Sequence, residues 1–182
     1  MTTDKLSGTR TLGRAATSSI ARKVAEAVLE IGGPLAYAGV GSRETPEEVL
    51  GVMASTAEIL AGVGMILRSG GAAGADSAFA SGVAVPELAE IFRPEDATEQ
   101  SVREAEKYHP AWHRCNYFAR RAHGRNCMIV LGRDLNSPVR VVVCWTKHGR
   151  AVGGTGQVLR LAARRGIPII NLAAWRPSGH GS

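Results

Sequence analysis

The sequence predicts an α/β fold: a single doubly wound, mostly parallel sheet of Rossmann-like form, with helices on both faces. Three observations carry this. Short apolar runs alternate with helical segments along the chain, the pattern of parallel strands joined by right-handed crossovers. Three of those runs pass into glycine-containing turns that open helices, at the strand ends where such sheets bind ligands. The length of 182 residues suits one domain with a real core, and no Pro-, Gly- or Ser-rich linker divides it.

Residues 1–12 are polar and read as a loose tail. Residues 13–175 form the single domain and 176–182 a C-terminal tail. Ile20, Val24, Val28 and Ile31 recur at helical spacing over 14–31, and Gly32-Gly33-Pro34 ends that helix. Leu35 to Val40 reads as a buried strand that runs into Gly41-Ser42-Arg43-Glu44-Thr45-Pro46. There Thr45 caps a helix whose first position is Pro46, with Glu47 and Glu48 in its first turn, continuing to about Ala61. Met65 to Ser69 is the second strand, Gly70 to Gly74 a tight turn, and Ala75 to Ser81 the start of the next helix. Ala89 to Phe92 is a third strand. Residues 94–111 read as a loop with a short helix. Trp112 to about Met128 reads as one basic helix. Val139 to Trp145 is a central strand, Gly149 to Gly154 a glycine-rich loop, Thr155 to Arg165 a helix, and Ile167 to Leu172 the last strand.

Hydrophobic residues make up 45% and charged residues 21% of the chain, which excludes a disordered protein. The net charge of +6 favours anionic partners. Three cysteines without a C-x-x-C pair argue against a disulfide framework or a cysteine zinc site, and a reduced, cytoplasmic setting is expected. Met1 to Ile20 lacks the apolar core of a signal peptide. The apolar runs fall far short of the ~20 residues that span a bilayer, so no membrane partner is expected.

The three turns are Gly39 to Pro46, Ser69 to Asp76 and Gly153 to Gln157. Each leads into a helix N-terminus, where backbone N–H groups and the helix dipole favour an anion. Glycine lets a phosphate approach those N–H groups, and Ser42, Ser69 and Thr155 add a hydroxyl to each turn. Neither a P-loop nor a G-x-G-x-x-G pattern occurs.

Ala38-Gly39-Val40-Gly41-Ser42-Arg43, Ser69-Gly70-Gly71-Ala72-Ala73-Gly74-Ala75-Asp76, Arg125-Asn126 and Gly153-Gly154-Thr155-Gly156 together resemble the SLOG superfamily. That superfamily includes the Rossmann domain of DNA-processing protein A, the "lonely guy" phosphoribohydrolases, and small bacterial and phage proteins. The resemblance spans about residues 35–172 and keeps the order of elements. It implies that Gly70, Gly71, Gly74 and Asp76 line the ligand site, and Arg125-Asn126 matches the family's position. Together with the three turns, the candidate ligand site comprises Gly39, Gly41, Ser42, Arg43, Ser69, Gly70, Gly71, Gly74, Asp76, Arg125, Asn126, Gly153, Gly154, Thr155, Gly156 and Gln157. In the phosphoribohydrolases a P-G-G-x-G-T-x-E-E loop carries the catalytic glutamate. Here the two glutamate positions fall on Leu159 and Arg160.

N-glycosidic cleavage passes through a cationic sugar that a carboxylate stabilises. Glu44 and Asp76, one after each of the first two turns, are the candidate catalytic groups. The alternative for Asp76 is a residue that steadies the glycine turn, and for Glu44 a solvated charge. Arg114, Arg121 and Arg125 share a helix face by spacing and suit phosphates, and Tyr117 and Phe118 suit base stacking or a core. His109, His113 and Cys115 invite a metal, but Pro110 interrupts the spacing and no third ligand is well placed. No metal and no cofactor are therefore expected.

The sequence thus leads to a protein that binds a nucleotide or nucleotide-derived phosphorylated ligand, with N-glycosidic cleavage as a possible activity. The alternative is a module for single-stranded DNA. A homodimer through the 14–31 helix is a further expectation.

Overall fold

The computed structural model describes residues 13–174; both expected tails lie outside the described residues. Along the chain run α1 (Arg14–Ile31), β1 (Ala36–Gly41), α2 (Glu47–Gly62), β2 (Ile66–Ser69), α3 (Ala75–Ser81), β3 (Ala89–Ile91), α4 (Glu99–Glu106), α5 (Tyr117–Leu131), β4 (Val142–Trp145), α6 (Gly153–Arg164) and β5 (Ile169–Asn171). The strands form one sheet in the order β3-β2-β1-β4-β5, and every pairing is parallel. This is the Rossmann-type order, in which the chain winds outward from β1 in both directions.

β1 is central, so both its faces must be apolar. Ala36, Ala38 and Val40 point into a core completed by α4, α5 and α6, through residues such as Ala105, Ile129, Leu131 and Leu161. Tyr37 points the other way, into a core built with α1, α2 and α3. β4 alternates likewise, with Val142 and Cys144 on the first side and Val143 on the second. Of the predicted α1 stripe, Val24 and Val28 are buried within the chain, while Ile31 is partly exposed. Among the described residues no helix is long and apolar enough to cross a membrane.

Several boundaries differ from the sequence reading: β4 begins at Val142 rather than Val139, α6 at Gly153 rather than Thr155, and β5 spans only Ile169–Asn171. Two further differences have a clear cause. α2 starts at Glu47 with no side-chain cap, because the Thr45 hydroxyl donates to the Ser42 carbonyl at 2.7 Å instead. The expected single helix from Trp112 is broken. A 3-10 turn over Trp112–Arg114 precedes α5, whose N-cap is Asn116, accepting from the Ala119 N–H at 2.9 Å.

Gly39 shows how closely α3 approaches the sheet. A β-carbon there would stand 2.6 Å from the Phe79 ring and 2.7 Å from Leu67. The bare strand lets Phe79 meet Tyr37 edge to face, with ring centroids 6.4 Å apart. The Tyr37 hydroxyl is buried there without a hydrogen-bond partner.

Two substitutions test this packing. Gly39→Ala overfills the contact and is expected to destabilise the fold by about 1–3 kcal/mol in urea unfolding. Tyr37→Phe removes an unpaired buried hydroxyl at constant shape. It should leave stability unchanged or raise it by up to about 1 kcal/mol, and a marked loss would mean that the hydroxyl has a partner.

Candidate functional site

From β1 the chain crosses to β2 on one side, and from β4 it crosses to β5 on the other. Between their carboxyl ends the two connections diverge and leave a crevice, the place where open α/β sheets bind ligands. A cavity of about 510 Å³ opens there. Its walls come from the β1–α2 turn, the β2–α3 turn, the segment after β4, the first turn of α6, and one face of α5.

Asp76 stands at the junction of three of these pieces. One carboxylate oxygen accepts the Gly41 N–H at 3.2 Å and the other the Ala72 N–H at 3.4 Å. The Arg125 guanidinium, from α5, lies 3.8 Å from it. Burial raises the Asp76 pKa above the ordinary value, while Arg125 and the N–H groups of Ala72, Gly41 and Gly70 pull it back. Gly70 is required by this pairing: a β-carbon there would fall on the Arg125 guanidinium. Arg125 also keeps a buried Nε without a partner.

In the β1–α2 turn the Ser42 hydroxyl accepts the Glu44 N–H at 3.0 Å, and the Ser42 carbonyl accepts the Thr45 hydroxyl and the Ala75 N–H. The turn is thereby locked from within and bound to α3. Arg43 and Glu44 extend from it to the rim, where Glu44 faces Lys147 at 3.6 Å across the cavity mouth. Both partners of that pair are well exposed, so the pair is worth little by itself.

The opposite wall is the first turn of α6. Gly153, Gly154 and Thr155 line the cavity, no side chain caps the helix, and its first turn carries no acidic residue. The leading N–H groups of a helix have no intrahelical acceptors, so the positive end of the dipole opens into the cavity uncompensated. Asn126 fixes this turn by donating to the Gly154 carbonyl and to Gln157 Oε1, both at 3.2 Å. Gln157 is buried and points inward: its amide nitrogen donates to the Ala105 carbonyl, and its oxygen pairs with His123 Nδ1. Burial holds the His123 imidazole below its ordinary pKa. The Gln157 contact opposes this, whereas His109, Arg160 and Arg125 add to it.

The structure therefore gathers Gly41, Ser42, Arg43, Glu44, Asp76, Arg125, Asn126, Gly153, Gly154 and Thr155 around one cavity. The other sequence candidates stand behind it. Gly39 is a packing residue, and its carbonyl accepts the buried Ser69 hydroxyl at 2.6 Å. Gly70, Gly71 and Gly74 shape the turn that presents Asp76, with Gly71 and Gly74 at positive φ. Gly156 packs against Ala151, and Gln157 supports the wall from inside.

The shared arginine face does not form. Arg114 lies in the preceding 3-10 turn, and Arg121 donates to the carbonyls of Pro94, Glu95 and Ala97. At the positions of the phosphoribohydrolase glutamates, Leu159 is in the core, and Arg160 donates to the carbonyls of Tyr108 and Ala151. Lys147 and His123 line the cavity but were not site candidates in the sequence. Their signal was position alone: Lys147 closely follows the end of β4, and His123 precedes Asn126 by one helical turn.

Comparison with protein-family models, with curated proteins and with solved structures finds no match to this chain.

The Asp76–Arg125 pair makes a prediction about pH. A carboxyl whose pKa is higher in the folded than in the unfolded chain binds its proton more tightly when native. Stability then falls as pH rises from the ordinary carboxylate value near ~4 through the folded value. Arg125→Met removes the charge that limits this rise. Its urea midpoint should decline more steeply over that window than the parent's; equal slopes would separate Arg125 from Asp76.

Proposed function

We propose that the chain binds a nucleotide or nucleotide-derived phosphorylated ligand in the cavity between β1 and β4, with a phosphate against the first turn of α6. The observation that carries this reading is the uncapped N-terminus of α6, free of acidic residues and open to the cavity. It matches the general anion site made by leading N–H groups and helix dipole. Arg43, Arg125 and Lys147 surround the same space and add cationic partners for phosphate oxygens. Val40, Ile129, Val152 and Val158 supply an apolar side, suited to the face of a sugar or base. A volume of about 510 Å³ lies in the range of small-molecule sites. The resemblance to the SLOG superfamily supports the same ligand class.

N-glycosidic cleavage is the chemistry this site would serve, through the two carboxylates on its walls. Glu44 stands at the mouth and Asp76 on the floor. Asp76 lines the cavity, and the N–H groups and Arg125 beside it favour its ionised form against burial, the form that stabilises a developing sugar cation. Glu44→Gln and Asp76→Asn are expected to stop release of free base while Glu44→Gln retains binding. A ligand that binds and is recovered intact from the parent protein would leave binding and remove hydrolysis.

Binding is tested by thermal melting against a panel of nucleotides, dinucleotides and phosphorylated nucleosides. A true ligand at a hundred times its Kd adds about 2.7 kcal/mol to stability. Gly154→Asp is the informative variant, because a β-carbon at Gly154 meets open space. The new carboxylate should stabilise the free protein by about 0.3–1 kcal/mol through the α6 dipole and abolish the ligand-induced shift. A panel without any shift would sink the proposal.

A second reading, a surface for single-stranded DNA, rests on Tyr117 and Phe118. They are 67% and 77% exposed and stand in edge contact at the start of α5, beside Arg120 and Arg121. Such aromatics stack bases. This reading expects oligonucleotide affinity that drops steeply with salt and is lost in Phe118→Ala; binding indifferent to both excludes it.

A further inference from the structure

From the convergence of His109, Cys115 and His123 we propose a binding site for a borderline divalent cation of the zinc class. The site abuts the cavity and keeps one coordination position open. The sequence pairs His109 with His113. The structure replaces His113 by His123, one residue of α5, and thereby supplies the third ligand whose lack argued against a metal. One ligating atom from each of the three side chains lies within 4.8 Å of the others, and all three residues are half-buried.

The donor set is two imidazoles and one thiol, which favours zinc or cobalt over magnesium or calcium. Cys115 Sγ lies 3.7 Å from His109 Nδ1. Sulfur and nitrogen bound to one tetrahedral zinc are about 3.6 Å apart, given bonds of ~2.3 and ~2.1 Å. His109 Nδ1 accepts the Ala111 N–H at 3.2 Å, so coordination exchanges that contact for a metal bond and draws His123 inward.

His123 is already oriented for the task. The Gln157 amide nitrogen donates to Ala105 and its oxygen accepts from Asn126, which fixes that oxygen as an acceptor. It therefore takes the proton of His123 Nδ1 and leaves the Nε2 lone pair for a ligand. Metal-bound histidines are held by such contacts from their other nitrogen. Trp112 packs edgewise on His109 and tilted on His123, shielding the cluster on one side. Of the three donors, His123 lines the cavity, so the cluster stands beside it. Three protein ligands with an open place is the arrangement of catalytic rather than structural zinc.

The charge balance also bears on the fourth ligand. Arg160 lies near both imidazoles, and the thiolate of Cys115 is the one anion among the three donors. The remaining position accordingly suits an anionic oxygen, such as hydroxide or a phosphate oxygen.

The test uses the untagged full chain, stripped with a chelator and titrated with cobalt(II), then zinc(II). One cobalt per chain is expected, with visible bands of a four-coordinate ion and a near-ultraviolet thiolate-to-cobalt charge-transfer band. Zinc should displace the cobalt and erase both. Cys115→Ser should lose the charge-transfer band. His123→Ala should weaken binding at least about tenfold, the loss that even removal of a ligand's hydrogen-bond partner produces. His113→Ala should change nothing. Circular dichroism checks that each variant is folded. No stoichiometric cobalt in the parent chain, or a charge-transfer band that survives Cys115→Ser, overturns the proposal. Neither outcome depends on the nucleotide reading.

Discussion

The contact that most of the site depends on is the acceptance of two backbone N–H groups, from Gly41 and Ala72, by one buried carboxylate, Asp76. Those N–H groups belong to two different turns, each at the end of a different strand. A buried backbone donor without an acceptor is costly, so these donors and the carboxylate need one another. Arg125 supplies the charge that lets Asp76 remain inside. Gly70 makes room for that arginine. The stretch is thus a brace for two turns as well as the piece that presents Asp76 to the cavity.

Sheet topology decides where that cavity lies. β1 and β4 are neighbours, yet their crossovers depart in opposite directions. Among the described residues nothing covers the gap between the departing turns, and α6 begins beside it. Each wall is fixed by a different bond: the β1 turn by Ser42 and Thr45, the α6 turn by Asn126, and the α5 face by Gln157 and His123. Such a pre-formed crevice loses little freedom when a ligand enters, which favours affinity.

Much of the fold was legible because its signals are local. Short apolar runs bounded by glycine mark a doubly buried parallel strand, and Val24 and Val28 mark the inner side of α1. The Arg125-Asn126 pair and the Gly153-Gly154 turn, separate in sequence, line one cavity. What was not legible depends on tertiary partners. Thr45 looks like a cap until Ser42 offers it a carbonyl. The basic stretch looks like one helix, although Asn116 is a cap signal that could have split it. Gln157 follows a glycine turn and reads as a ligand contact, but Ala105 and His123, far away in sequence, turn it inward. Spacing sets His109 beside His113, whereas the chain reversal before α5 brings His123 instead.

The sheet has a final consequence at its margins. Its two outer strands, β3 and β5, are each three residues long. An exposed strand recruits another chain through a row of unpaired backbone groups, and a short one offers few. Among the described residues, these two edges therefore offer few backbone groups for strand addition. At the crevice, by contrast, side chains rather than a backbone ladder present the polar groups.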